Sequence, residues 1–484
     1  MHVAPVLHVL SLVIMLFAGC MLMPLGVSIG LGDAAEFAYD EAVLIAFTSG
    51  AVLWGATRRS TRELKVRDGF LLVVLVWTVL PALATLPLII FLPQLSFTDA
   101  YFETVSGLTA SGGTVLSGLD ALPASINLWR GFMVWLGGMG VIVLAVAILP
   151  LLGVGGSQLF KAETPGPMKD TKLTPRIAET AKGLWLVYVG FTALCFLAYR
   201  WAGMTWLDAG MHAFTTMGLG GFSTHDASFA YWNSPRIELV AIVFMLIAGI
   251  NFATHFSAWR KLTLAPYRRD SEARMFLLLM AVSVLGIALF LYVSGVYPDF
   301  QTALRHAAFN VVSVATTTGY SSADYNLWPV FAPLWMLFLC SFSTCAGSTG
   351  GGIKMIRARI LLHQMFRELL RIIHPKMYSP VKLSGQPLEN NVVFAVLAFA
   401  FVYTCSISTM TLVLTASGLD AVTAFSAVVA CINNTGPGLN RVGPATTFAV
   451  LNDFQTWLCS FAMLLGRLEL FTLLVVMTPA FWRK

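Results

Sequence analysis

Thr316-Thr-Thr-Gly-Tyr320 sets three hydroxyl residues, a glycine and a tyrosine between apolar segments, and its reading decides the fold. Three other stretches resemble it: Thr109-Ala-Ser-Gly-Gly113, Gly218-Leu-Gly-Gly-Phe222 and Asn433-Asn-Thr-Gly-Pro437. Aligned on one glycine each they give Gly112, Gly221, Gly319 and Gly436, at intervals of 109, 98 and 117 residues. A lone Thr-x-x-Gly in an apolar chain says little, because small residues more often pack one membrane helix on another. Four copies at the same point of a repeated unit exclude that reading as the main one.

Working outward, each stretch ends a segment too short and too polar to cross a bilayer. These segments begin near Asp99-Ala100, Asp208-Ala209, Asp299 and Asp420-Ala421. Longer apolar helices are predicted on either side: 70–92 and 128–152, 183–203 and 236–260, 275–297 and 330–372, 392–416 and 454–480. Two apolar spans at 6–30 and 38–56 come first. A short apolar segment with an irregular end reads as a re-entrant half-helix followed by extended backbone. Such backbone is tolerated at membrane depth only where protein buries it or water reaches it. The predicted fold is therefore an all-α polytopic membrane protein, with two leading transmembrane helices and four pseudo-fourfold helix–pore loop–helix units around one central pore. The division is 1–66 for the leading pair, then 67–160, 161–262, 263–373 with a broken second helix, and 374–484.

Composition agrees. Of 484 residues 57% are hydrophobic and 11% charged, with a mean hydropathy of +0.77, against about 25% charged in soluble proteins. A spanning helix needs about 20 mostly apolar residues, and about ten such stretches are present. The net charge of +6 does not point to nucleic acid, because most of the 30 Lys and Arg residues fall into five places: 58–67, 161–182, 260–274, 354–382 and the tail pair Arg483 and Lys484. The opposite connections hold scattered cations such as Arg130, Arg236, Arg305 and Arg441. By the positive-inside rule both termini and the basic loops are cytoplasmic. The seven cysteines are odd in number and lie in or beside apolar segments, so no disulfide framework or zinc site is expected. Leu16-Phe-Ala-Gly-Cys20 faintly resembles a lipoprotein cleavage box, but no Lys or Arg precedes the apolar run, so an uncleaved span is predicted. His212, His255, His306, His363 and His374 show no ligand spacing.

The loops suit a dehydrated cation, which needs oxygens to replace its water, and backbone carbonyls supply them. Glycine permits the backbone angles that turn successive carbonyls to one side. The half-helix before each loop ends in partly negative carbonyls, which favour a cation.

A gate is predicted below. Cys345-Ala-Gly-Ser-Thr-Gly-Gly-Gly352 interrupts a helix, and each glycine costs about 1 kcal/mol relative to alanine there. The spacing of a phosphate-binding loop is absent. Gly347, Gly350, Gly351 and Gly352 are read as an intramembrane gating loop. Arg467 sits in an otherwise apolar final helix, where a charge is costly and faces water or a partner. Glu469, two residues on, does not share its helix face. Arg467 is therefore predicted to reach carbonyls of the 346–352 loop as barrier and latch. His225 and Asp226 suit the outer mouth or a solvated surface equally, and Pro165, Pro167 and Pro175 mark a cytoplasmic linker that could dock a partner.

The sequence resembles the bacterial TrkH/TrkG potassium-uptake subunits, relatives of KtrB and the Trk/HKT proteins, over essentially its whole length. The resemblance is carried by Arg67-Asp-Gly-Phe70, Gly137-Gly-Met-Gly140 and the apolar run after it, Pro165-Gly-Pro167, Thr174-Pro-Arg-Ile-Ala-Glu-Thr180 and Gly220-Gly-Phe-Ser-Thr-His-Asp226. Ala346-Gly-Ser-Thr-Gly-Gly-Gly-Ile-Lys354 and Gly466-Arg-Leu-Glu-Leu-Phe471 complete it. It implies K+ as the transported ion, a homodimer in the bacterial inner membrane, and a cytosolic TrkA-type ring that binds nucleotides. It also implies that K+ sites are built from carbonyls just before each filter glycine: Ala110 and Ser111 with Gly112, Leu219 and Gly220 with Gly221, Thr317 and Thr318 with Gly319, Asn434 and Thr435 with Gly436. The first loop has Ala110-Ser111 where relatives often carry two threonines, and only the third keeps an unbroken threonine run. The alternative is a secondary potassium/proton or potassium/sodium symporter, for which Glu103 and Asp208 are the nearest membrane carboxylates. No catalytic constellation, nucleotide site or organic cofactor site is read from the chain.

Overall fold

Apolar runs with few breakers form straight helices. The computed structural model describes residues 3–60, 62, 64–143, 177–377, 379–383 and 386–483. Among them six helical stretches are long and apolar enough to cross a membrane: Ala4–Leu31, Glu36–Thr57, Arg67–Phe91, Ala181–Ala202, Ser271–Val293 and Asn390–Ala416. Residues 144–176 lie outside the described part, and with them Lys161, Lys169, Lys172, Arg176, Pro165, Pro167, Pro175 and the predicted helix end at 152.

The leading pair corresponds to the first two stretches and is tied to the rest by polar contacts. Tyr39 donates to the Ser125 carbonyl at 2.9 Å, and Asp33 accepts from the Ser125 amide at 3.0 Å. After this pair the element order repeats: a long helix, a short one, an irregular stretch, and a second helix. The short helices are Phe97–Leu108, Trp206–Gly218, Phe300–Ala315 and Ala421–Ile432.

The second helices correct the prediction of straight spans. The one predicted at 236–260 is Pro235–Gly249 followed, after a 94° bend, by Phe252–Lys261. The one predicted at 454–480 is Asp453–Arg467 and then Phe471–Met477, bent by 115°. Between them Glu469 and Leu470 are both left-handed, at φ 51° and 54°. The third, predicted to break near 345, already ends at Cys340 and resumes at Met355. Hydroxyls explain the early break. Ser343 donates to the Ala315 carbonyl and Thr344 to that of Gly351 (2.9 Å). Ile353 and Met355 amides then bond Ser341 and Thr344 carbonyls across the gap, at 2.6 and 2.8 Å. Among the described residues one pair of short strands is present, Lys382–Leu383 antiparallel with Gln386–Pro387.

Candidate functional site

Each short helix opens on the same reciprocal pair of an aspartate and a hydroxyl. Ser96 and Thr205 accept from the amides of Asp99 and Asp208, both at 3.1 Å. In the other two helices the roles reverse, and Asp299 and Asp420 accept from the Thr302 and Thr423 amides at 2.8 and 3.0 Å. The aspartates that mark the segments in the sequence thus hold two different positions, cap and third residue. Either way an orphan amide is satisfied and a carboxylate lies at the positive helix end.

The far ends are alike to a finer degree. In every copy the residue two before the aligned glycine is left-handed although it is not glycine: Ala110 at φ 53°, Leu219 at 54°, Thr317 at 62° and Asn434 at 53°. The next amide folds back five residues, Ser111 to Ser106 (2.8 Å), Gly220 to Thr215 (3.0 Å), Thr318 to Ser313 (2.8 Å) and Thr435 to Ala430 (2.9 Å). These are helix-terminating Schellman bonds, which consume the amides. The carbonyls turn elsewhere: among the described residues no donor reaches those of Ala110, Ser111, Thr317, Thr318, Asn434 or Thr435.

The four loops touch in cyclic order. A Cβ on Gly112 would stand 2.3 Å from the Gly221 nitrogen, and one on Gly221 would be 2.5 Å from the Thr318 oxygen. Likewise one on Gly319 would lie 2.0 Å from the Thr435 oxygen, and one on Gly436 2.8 Å from the Ser111 oxygen. Glycine is therefore required by the approach of neighbouring backbones as well as by φ, which is 82°, 88° and 98° at Gly112, Gly319 and Gly436. Gly221 is not left-handed, and the Gly220 carbonyl accepts from the Phe222 amide at 2.9 Å, so the second loop departs from its fellows.

The contacts that polar side chains make around the ring were not identified from the sequence, although Glu103 and Asn434 were named there in other roles. Arg130, read there as a scattered external cation, is fully buried and donates to Glu103 Oε1 at 2.8 Å and to the Ser223 carbonyl at 3.0 Å. Glu103 also accepts from the Val115 amide at 3.0 Å and the Thr114 hydroxyl at 2.9 Å. Arg130 lies 4.4 Å over the Phe222 ring. The third and second units are joined by Tyr320, whose hydroxyl meets that of Thr216 at 3.1 Å. Asn434 joins the fourth to the first, donating to Ser111 Oγ at 2.9 Å. An Arg–Glu pair 27 residues apart gives no local sequence signal, and a tyrosine after a loop glycine gives only a faint one.

On one side of the ring His225, Asp226 and Arg130 line a cavity together with Gly112, Gly221 and Gly319. His225 hydrogen-bonds Asp120, lies 3.5 Å from Asp208 Oδ1, and stacks 3.4 Å from the Tyr231 ring. Burial alone would lower the imidazole's pKa, but the Asp208 and Asp120 carboxylates outweigh it and hold it above the ordinary value. Asp120 is lowered in turn by its bond from His225.

On the other side the 341–354 segment lies against the loops. Gly351 donates to Thr317 Oγ1 at 2.8 Å, and a Cβ there would stand 1.9 Å from the Asn433 oxygen. Thr349 donates to the Met217 carbonyl at 3.0 Å, and Lys354 to that of Gly350. Gly347 is left-handed beside Asn251, and Gly352 is left-handed against the Cys340 and Ser341 carbonyls. Arg467, 7% exposed, ends its helix rather than sitting within it, and donates to the Thr349 carbonyl at 3.0 Å. Its second bond, to the Gly137 carbonyl at 2.8 Å, crosses to the first unit and was not anticipated. Glu469 pairs with Arg357. Gly137 and Gly466 admit the Leu108 and Ile432 carbonyls, which would be 1.8 and 1.9 Å from a Cβ.

Comparison with known proteins follows the same outline. Residues 35–484 match the family TrkH, described as a cation transport protein. The chain is 46% identical over 485 residues to the Trk system potassium uptake protein TrkH of Salmonella typhimurium, covering 100% of both. It is 38% identical over 484 residues to TrkG of Escherichia coli K12, covering 100% of this chain and 99% of that one. The crystal structure of the potassium transporter TrkH from Vibrio parahaemolyticus superposes with a TM-score of 0.91 at 42% identity, with full coverage of both chains.

Proposed function

Because the chain belongs to the TrkH family of cation transport proteins, we propose that it takes up potassium through a gated, channel-like pore whose filter is the ring of four loops. The observation that carries this is the shared backbone: a left-handed residue at the same place in all four loops, followed in the first, third and fourth by carbonyls that no donor among the described residues reaches. Such carbonyls replace a cation's hydration shell. In this reading the sites are formed by Ala110 to Gly112, Leu219 to Gly221, Thr317 to Gly319 and Asn434 to Gly436, in four pseudo-symmetric units spanning 67–160, 161–262, 263–373 and 374–484. The gate is the 341–354 loop with Gly347 and Gly350 to Gly352, latched by Arg467. The protein works as a homodimer in the bacterial inner membrane with both termini in the cytoplasm. A cytosolic TrkA-type nucleotide-binding ring on the basic loops controls it.

The symport alternative is disfavoured by the use already made of the two carboxylates it needs. Glu103 is neutralised by Arg130, and Asp208 accepts from Thr205 and Thr224 at 2.7 Å each. The test is rubidium uptake in cells deficient in potassium uptake, competed by sodium, and single-channel recording from the reconstituted protein. Discrete channel currents are expected. Proton or sodium movement in fixed stoichiometry with rubidium would overturn the channel reading.

A further inference from the structure

We propose that Glu272 is the positioning residue that holds the 341–354 loop in place, stapling its entry and exit with one carboxylate oxygen; this rests on the reading of that loop as the gate. Glu272 is 3% exposed on the first turn of Ser271–Val293. Its Oε1 accepts from the Ala346 amide at 2.8 Å and from the Ile356 amide at 3.1 Å. One of these residues precedes the gate glycines and the other follows them. Neither amide has a helical partner to fall back on, because the helix is interrupted between Cys340 and Met355. Away from water an unpaired amide is costly, so the carboxylate fixes both flanks at once.

The staple stands on a rigid base. Asp270 Oδ1 caps the same turn, accepting from the Glu272 and Ala273 amides at 2.9 and 3.1 Å. Asp270 Oδ2 accepts from Thr254 at 2.8 Å, on the helix beyond the 94° bend. Arg359 donates to Ser271 Oγ at 2.9 Å, from the helix below the loop. The loop also bonds the bend directly, Cys345 to the Gly249 carbonyl and Phe252 to the Gly347 carbonyl, both at 3.0 Å. The 270–272 turn is thus where the loop is joined to the helices Phe252–Lys261 and Met355–Ile373. It directly follows the basic linker carrying Lys261, Arg268 and Arg269, none of which is in an ion pair among the described residues.

The test uses the full chain in liposomes without a partner. Glu272→Ala is expected to raise rubidium flux roughly tenfold or more, as two hydrogen bonds that hold the loop are lost, with the rubidium-to-sodium ratio unchanged because the ring is untouched. Glu272→Gln keeps an oxygen that can accept both amides and is expected to stay near the parent. Cys345, buried beside Ala346, reports the loop directly: in a Cys20→Ser, Cys405→Ser background, which removes the two cysteines that are not buried, a methanethiosulfonate reagent should label it faster in Glu272→Ala than in Glu272→Gln. Should Glu272→Ala not reach the membrane, Glu272→Asp, one carbon shorter, is expected to show the faster labelling. Labelling that matches the parent in both Glu272→Ala and Glu272→Asp overturns the staple alone. Faster labelling with parental flux overturns the reading of the loop as a gate, and the proposal with it.

Discussion

Replacing Gly319 by alanine tests the ring most sharply, because two separate penalties meet there. The first is conformational: at φ 88° an alanine bears the left-handed cost of about 1–2 kcal/mol. The second is steric. The new Cβ would lie 2.0 Å from the Thr435 oxygen, whereas ordinary contact begins at 3.4 Å, so that carbonyl must retreat by about 1.4 Å, the difference between the two. No side-chain rotation relieves this, since the obstacle is the peptide of the next loop. A binding constellation tolerates about 0.5 Å of displacement, so the shift is large enough to spoil a cation site without unfolding the protein. Gly118 separates the two penalties: it is also left-handed, at φ 72°, but nothing lies within 4 Å of its would-be Cβ. Gly319→Ala is expected to abolish rubidium uptake, or let sodium compete for it, at normal membrane abundance, while Gly118→Ala transports like the parent. Parental rubidium affinity and sodium exclusion in Gly319→Ala would refute the assignment of the ring as the filter.

Removing the latch should act in the opposite direction: Arg467→Ala forfeits two charge-assisted bonds of ~1.5–3 kcal/mol each, so partner-free open probability in bilayer recordings rises. Arg467→Lys, a point charge that cannot bridge the Thr349 and Gly137 carbonyls together, falls between. Glu103→Ala strands a fully buried Arg130 and should lower stability by ~3–5 kcal/mol, read as a fall in melting temperature in detergent that Glu103→Gln with Arg130→Met partly restores. The cluster of His225, Asp120 and Asp208 should be pH-dependent. His225 has a raised pKa, so its ion pairs with Asp120 and Asp208 contribute fully below the ordinary histidine value and are lost as pH rises through the higher folded one. Melting temperature should therefore decline on going from about pH 6 to about pH 9, and His225→Asn should flatten that dependence.

What the sequence made legible was local. Hydropathy located the long helices, and four similar glycine stretches located the loops, because both are properties of contiguous residues. The shared left-handed residue was invisible, since Ala110, Leu219, Thr317 and Asn434 have no chemistry in common and only their place relative to the helix end matters. The breaks at Ile250 and after Arg467 were marked only by single polar residues, Asn251 and Glu469, which do not by themselves signal a bend; the neighbouring backbone comes close at the second. Gly466 leaves room for the Ile432 carbonyl immediately before the break. Arg467 was recognisable because a charge in an apolar run is conspicuous. Arg130 was not, because it stands early in a helix, where the count of scattered external cations absorbed it.

The inequality of the loops follows from which parts of each are fixed by backbone and which by side chains. Left-handed residues that are not glycine are unfavourable by about 1–2 kcal/mol each, so something must hold all four. The Schellman bonds do this in the same way in every copy, with no demand on side-chain identity. That leaves the side chains free to diverge, and they do. Loops one and three add hydroxyl pairs, Thr109 with Ser111 at 2.9 Å and Thr316 with Thr318 at 2.8 Å, whereas loop four uses Asn434 to bond loop one. Loop two has neither device and spends its Gly220 carbonyl on Phe222. Its place is kept from outside instead, by Arg130 over the Phe222 ring and on the Ser223 carbonyl, and by Tyr320 on Thr216. The loop with the least internal support is thus the one braced by both of its neighbours, which explains why a buried arginine of the first unit and a tyrosine of the third converge on the second.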